Sequence, residues 1–214
     1  MKSFLIIGMG SFGHHLCRAL AQQRCEIMIV DKSSEALEDV LPLVISAKAG
    51  DCTSEDVLRS FSVDSFDACF VCLGSNVLAG LQITSLLKEL GAKKVYSKAD
   101  EDMQAKFLLR NGADEIIYPE REIASSIAVS ECNDSVFDCI RLTADCSIFE
   151  VQPLSRWVGK SLKELNFRAK YNMTVIAAMP GGNVQPNLHA EYIFKADEHL
   201  LVLGTSEDLQ RMLH

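Results

Sequence analysis

No apolar run in this 214-residue sequence approaches the roughly 20 residues that an α-helical membrane span needs, although 48% of its residues are apolar. The chain therefore has ample material for a core, and a water-soluble protein of one large or two small domains is expected. Its first residues show no basic start, apolar middle and small-residue cleavage site, so a cytoplasmic location is expected. A basic field is missing as well. The net charge is −8; residues 1–134 hold 13 Lys/Arg against 20 Asp/Glu, and residues 135–214 hold 8 against 9. Such a balance excludes non-specific binding to nucleic acid or to an anionic membrane surface.

Signatures of catalysis are equally scarce. There is no H-E-x-x-H, no Ser-His-Asp order and no G-x-x-x-x-G-K-[ST]. An NTPase would thus have neither its phosphate lysine nor its magnesium hydroxyl. The eight cysteines are scattered, and only Cys69 and Cys72 are spaced C-x-x-C. They lie within an apolar run, Ala68–Leu73, where cysteine behaves as a small buried hydrophobe; a redox or zinc motif would need a partner pair or a helix N-terminus. His14 and His15 follow a glycine-rich turn and could approach a phosphate, but ordinary first-turn helix positions are the commoner explanation.

What is present begins at once. The apolar run Phe4-Leu5-Ile6-Ile7 leads into Gly8-Met9-Gly10-Ser11-Phe12-Gly13, an amphipathic stretch follows, and Ile27-Met28-Ile29-Val30 ends on Asp31. A glycine pattern alone is weak, but strand–turn–helix–strand with an acid 23 positions after Gly8 is the context of a dinucleotide-binding fingerprint. Gly8 permits the tight turn, Gly10 lets backbone approach a phosphate, and Gly13 allows close helix packing. The helix N-terminus offers N–H groups to an anion. Asp31 is placed to accept from ribose hydroxyls and disfavours a 2′-phosphate, so an adenosine-like or NAD-like ligand is expected rather than NADP.

Apolar runs at 3–7, 26–30, 43–47, 68–73, 94–98 and 115–118 alternate with helical spacing, clearest from Val77 to Leu90 and stopped by Gly91. This pattern predicts an α/β fold, a Rossmann-like doubly wound parallel sheet with ligands at the carboxyl ends of its strands. Asp51, Asn76 and Lys98 stand at three further strand ends. Each also has a plainer reading: an acid before a helix, an N-cap, a solvated charge. A helix over 120–130 could leave the domain body, and Glu131–Ser135 breaks the pattern. Division into a module of residues 1–134 and a small α+β module of residues 135–214 is expected. The second has strands near 148–151, 174–179, 192–194 and 200–204, a turn at Pro180–Asn183, and helices near 161–165 and from Ser206.

In both modules the chain resembles the RCK regulators of Trk/Ktr-type potassium uptake. The segments that carry the resemblance are FLIIGMGSFG, MIVD, AGDCTSEDVL, FDACFVCLGSN, KKVYSKA and NGADEIIYPEREIA in the first module, with VGKSLKELNFRAKYNMTVIAAM and HLLVLGTSEDLQRML in the second. The resemblance implies a non-enzymatic gating subunit, a homodimer assembling into an octameric ring on the inner face of the membrane beneath a membrane-embedded potassium channel subunit. It implies ATP/ADP or NAD(H) held by Gly8, Gly10, Gly13 and Asp31, with Asp51 at the base and Asn76, Lys98 and Ala99 completing the cleft. Ser11, Phe12, Lys32 and Cys52 join these as neighbouring contacts. Ser11 stands where ATP-discriminating members carry arginine, which leaves room for ADP or NAD(H). Glu120 matches an acid that binds a divalent or sodium cation near the phosphates; its plainer reading is a first-turn helix acid. Arg168, Asn172 and Met173 match positions that line a cyclic dinucleotide site in some members. The competing reading of the residues is an NAD-dependent oxidoreductase, for which the second module is small.

Overall fold

The computed structural model describes residues 1–143 and 145–214, which form two compact units, Met1–Tyr118 and Pro119–His214. Along the first run β1 (Lys2–Ile7), α1 (Ser11–Ala21), β2 (Cys25–Asp31), α2 (Glu35–Glu38), β3 (Ser46–Ala49), α3 (Glu55–Arg59), β4 (Ala68–Val71), α4 (Val77–Glu89), β5 (Val95–Lys98), α5 (Asp102–Arg110) and β6 (Glu115–Ile117). Every strand pairing is parallel and the order is β3-β2-β1-β4-β5-β6, the expected doubly wound sheet.

Both faces of this sheet are covered, which is why its strands read as unbroken apolar runs. Successive side chains alternate: Leu5, Ile7, Val30 and Val71 pack with Leu58 of α3 and Ile83 and Leu87 of α4. Ile6, Ile27, Ile29 and Phe70 pack on the other side with Cys17 of α1 and Leu37 of α2. Cys69 and Cys72 are buried among them, and all eight cysteines are free thiols. The third strand starts at Ser46 rather than near 43. Leu41–Leu43 instead form a single 3-10 turn around Pro42, a residue that has no N–H to give to a ladder.

The second unit contains α6 (Pro119–Glu131), β7 (Val136–Arg141), β8 (Ser147–Val151), α7 (Leu162–Leu165), α8 (Phe167–Tyr171), β9 (Thr174–Pro180), β10 (Gln185–Pro186), β11 (Glu198–Gly204) and α9 (Ser206–Leu213). The compact units and the sequence-based division at 134/135 differ by α6. This helix packs along β7, where the Ser126 hydroxyl donates to Asp138 Oδ1 at 3.1 Å. The sheet is antiparallel, ordered β10-β9-β11-β8-β7. Its buried face brings Phe149, Val151, Leu200 and Val202 against Trp157, Phe167, Leu209 and Met212. On the other face His199 Nδ1 lies 2.5 Å from Glu150 Oε1, and Phe137 stacks on the imidazole at 4.0 Å. The turn at 180–183 forms as expected, with Gly181 and Gly182 at positive φ. Around 192–194, however, the backbone makes one isolated bridge, Ile193 to Ser161, in place of a strand. Among the described residues no helix is long and apolar enough to cross a membrane.

Candidate functional site

Parallel strands put the turns after β1, β2, β3, β4 and β5 on one edge of the sheet. From β1 the chain winds outward to β2 and β3, then crosses to β4 on the other side. The turns leaving β1 and β4 therefore diverge and open a crevice between them. The β1 turn is shaped by its glycines. Gly8 has φ +93°, a conformation that strains any side-chain-bearing residue, and its N–H donates to Val30 O at 2.9 Å. A Cβ on Gly13 would overlap the Gly8 carbonyl oxygen, so α1 packs directly on the turn that precedes it.

Gly10 answers to neither constraint. Its backbone is extended, at φ −73° and ψ −171°, and a Cβ there would meet no described atom within 4 Å. It is the N-cap of α1 without a side-chain cap, and the first turn holds no acid. What its missing side chain provides is open space over N–H groups at the positive end of a helix.

Asp31 ends β2 beside this turn. Its Oδ2 accepts the Met9 N–H at 2.6 Å and its Oδ1 the Ser33 N–H at 2.9 Å. Each carboxylate oxygen has a further lone pair for a ligand hydroxyl. Next to it, Lys32 pairs with Asp51 at 3.0 Å. Asp51 Oδ1 also accepts the Thr53 hydroxyl at 2.6 Å and the Thr53 N–H at 3.0 Å. The Thr53 hydroxyl, the Thr53 amide and Lys32 together hold the Asp51 carboxyl down at about 2. Cys52 points inward, and burial pushes its thiol up to about 12, which makes it an apolar wall and not a nucleophile.

These elements enclose a cavity of about 120 Å³. Gly8, Asp31, Lys32, Cys52 and Asn76 line it, joined by Ile7, Val30, Gly50, Leu73, Ala79 and Ile83. A largely apolar slot with a carboxylate and an ammonium group at its mouth suits a flat heterocycle carrying a polyhydroxylated sugar. The other expected contacts lie around it. Ser11 is exposed in the first turn of α1, and Phe12 packs partly into the core. His14 and His15 donate through Nδ1 to the Gly10 and Ser11 carbonyls, at 3.0 and 2.8 Å. Asn76 caps α4, its Oδ1 accepting the Ala79 N–H at 3.1 Å. Lys98, one strand further out, pairs with Asp100 at 2.5 Å. Ala99 is fully buried and its N–H donates to Ile117 O at 2.9 Å, so it contributes packing at this edge.

Sequence reasoning missed Gln104. Buried in α5, its Oε1 accepts the Asp100 N–H at 2.9 Å and its Nε2 donates to Gly74 O at 3.2 Å. One amide thus fastens the β4 and β5 exit loops together; a polar residue in an otherwise amphipathic helix gave no signal.

In the second unit Glu120 is exposed in the first turn of α6. Among the described residues no group of three His, Cys, Asp or Glu is arranged to hold a metal ion, so a cation at Glu120 would need oxygens from another source. Arg168 is exposed, whereas Asn172 Nδ2 donates to Asp208 Oδ2 at 3.1 Å and Met173 is buried beneath Gly204. Two of the three positions matched to a cyclic dinucleotide site therefore have internal structural partners.

A doubly wound sheet with a glycine-rich turn, an open helix N-terminus and an acid at the tip of the second strand defines a domain of the dinucleotide-binding α/β class. The chain belongs to the TrkA-N domain family, whose family model matches residues 4–119, and the TrkA-C domain model matches residues 146–214. It is 33% identical over 210 residues to Ktr system potassium uptake protein C of Bacillus subtilis (strain 168), covering 98% of this chain and 95% of the relative. Ktr system potassium uptake protein A of the same organism is 31% identical over 210 residues, with the same coverage of both chains. Among solved structures, the GsuK channel bound to NAD superimposes with a TM-score of 0.70 at 16% identity, over 99% of this chain and 38% of that one. That likeness is one of fold, and this chain spans less than half the length of the GsuK chain.

Proposed function

We propose that this protein is the nucleotide-binding regulatory component of a potassium uptake system, acting on a membrane-embedded Trk/Ktr-type pore subunit. The observation that carries the reading is Gly10. Neither its conformation nor its packing calls for glycine, and the space it leaves lies over a helix N-terminus beside Asp31, where a nucleotide pyrophosphate and ribose would sit. The ligand is an adenine nucleotide, ATP/ADP or NAD(H). Its adenosine enters the slot between Val30, Gly50 and Leu73, and its ribose hydroxyls donate to Asp31. The protein binds this ligand and does not transform it.

Regulation follows from thermodynamics. A nucleotide shifts a conformational equilibrium only by its differential affinity for the two states. A homodimer assembled into an octameric ring on the cytoplasmic side of the membrane gives such a difference a mechanical outlet at the pore. A cation enters this scheme only as a shared ligand of Glu120 and the nucleotide phosphates.

Calorimetry with ATP, ADP, NAD and NADH, with and without magnesium or calcium, tests the binding. Saturable binding lost in Asp31→Ala, without turnover, is the expected result. Potassium-limited growth of an uptake-deficient strain carrying the pore partner should need the wild-type chain and fail with Asp31→Ala. Oxidation of NADH by an added carbonyl substrate would make the protein an oxidoreductase instead.

A further inference from the structure

The β5–β6 ladder ends where the Ala99 N–H donates to Ile117 O at 2.9 Å. Asp100 is the next residue, and side chains take over its backbone groups. Its N–H donates to Oε1 of the buried Gln104 at 2.9 Å, and its carbonyl accepts the Tyr118 hydroxyl at 2.6 Å. Its carboxylate pairs with Lys98 and lies so close over Gly74 that it would have to move to admit a Cβ there. Gln104 Nε2 donates to the carbonyl of the same glycine at 3.2 Å. Gly74 stands between Leu73 and Asn76, which line the crevice. Tyr118 is the last residue of the first unit, and Pro119 opens α6. The joint between them is stiff: proline fixes its own φ and restricts the residue before it.

We propose that Gln104, Asp100 and Tyr118 are positioning residues that carry the state of the crevice to the start of α6. Resting on the nucleotide-binding reading, this gives its regulation a path through named side chains. A ligand seated against Leu73 and Asn76 biases the β4 exit loop. Gly74 passes that bias to Gln104 and to the Asp100 carboxylate, and the Asp100 peptide passes it to Tyr118. Each link is a directional hydrogen bond or a close packing contact, so displacing one member moves the next. Because the joint after Tyr118 is stiff, its displacement reaches the helix with little absorbed on the way. Coupling of this kind is a free energy shared by two sites, commonly worth about five- to 150-fold in an equilibrium. A purely structural cluster would act differently: its loss would weaken folding and nucleotide binding together.

Hydrogen exchange of the full-length protein, with and without saturating ADP and again with NAD, reads both ends of the path. In the wild type, nucleotide should slow exchange in residues 8–13 and change it in residues 122–131 by roughly fivefold or more. Tyr118→Phe removes one hydroxyl and keeps the ring. It should hold affinity within roughly two- to threefold and keep the protection of residues 8–13, while the α6 response falls several-fold. Gln104→Met, which loses both amide bonds, should reduce the α6 response as well. The double variant should lose no more than the more affected single one, since both residues stand on one path. Should Gln104→Met fail to fold, Tyr118→Phe decides alone. A full α6 response in Tyr118→Phe overturns the inference, as does a wild type whose crevice is protected while α6 is unchanged. Loss of crevice protection along with the α6 response in Tyr118→Phe also overturns it, by making the cluster structural; in all three cases nucleotide binding stands. No protection of residues 8–13 by either nucleotide in the wild type overturns the nucleotide-binding reading and this inference with it.

Discussion

Gly10 and Gly13 stand three positions apart and meet different demands. A methyl group on Gly13 collides with the Gly8 carbonyl oxygen, a backbone atom that cannot move aside without reshaping the turn. Gly13→Ala should therefore cost about 2–4 kcal/mol in urea unfolding. Gly10→Ala should cost about 1 kcal/mol or less yet lower nucleotide affinity at least tenfold, since its methyl group enters the space reserved for phosphate. Equal destabilisation by both changes would show that Gly10 serves the fold. Asp51 offers a second test. Its carboxyl sits at about 2, held there first by the Thr53 hydroxyl. A carboxyl depressed in the folded state adds stability above its ordinary range near pH 4 and loses it as pH falls toward 2. In Thr53→Val the Asp51 titration, followed by NMR, should move up toward the ordinary range, and this acid-linked loss should diminish.

Elements with strong periodicity were legible from sequence, and most of those without it were not. Val77–Leu90 showed its buried stripe, its cap and its stop, and α4 follows them to within a residue. By contrast, β7 gave no signal because a register shift between Val136 and Asp138 breaks its alternation against β8. In α8 only five residues lie between Asn166 and Asn172, both left-handed, too few to display a helical period. The short α7 was foreseen at the right place, and its cause is local. Ser161 accepts the Glu164 N–H at 3.1 Å, while the Glu164 carboxylate accepts the Ser161 N–H at 2.7 Å, a reciprocal cap. Ser161→Ala should cost about 1 kcal/mol in chemical denaturation, with Glu164→Gln retaining most of the capping.

The chain has a single tryptophan, Trp157, fully buried in the second unit with its Nε1 donating to Tyr171 Oη at 3.0 Å. Its fluorescence therefore reports that unit, while the residues that line the crevice all belong to the first. Nucleotide at roughly 100 times its Kd should raise the stability of the first unit by about 2.7 kcal/mol, read as a shift in the far-ultraviolet circular dichroism transition. Unchanged melting at saturation would mean that the ligand does not prefer the folded crevice. Much of the crevice was readable because a parallel sheet sends its strand ends to one edge, so Gly8, Asp31 and Asn76 could be grouped from strand order, while Lys32 and Cys52 came with the family resemblance. The partners that Lys32 and Lys98 choose, and the Gln104 bridge, depend on side-chain reach, which spacing does not encode.

The hydrogen bond from the Met9 amide to Asp31 ties the turn after β1 to the tip of β2 through protein groups alone. A turn held by the chain's own hydrogen bond leaves less ordering for a ligand to impose, which favours binding. Encounter should then be a single bimolecular step: in stopped-flow mixing, the observed rate should rise in proportion to nucleotide concentration, without the plateau that marks a slow rearrangement. Differences between nucleotides should accordingly appear mainly in how long each one stays.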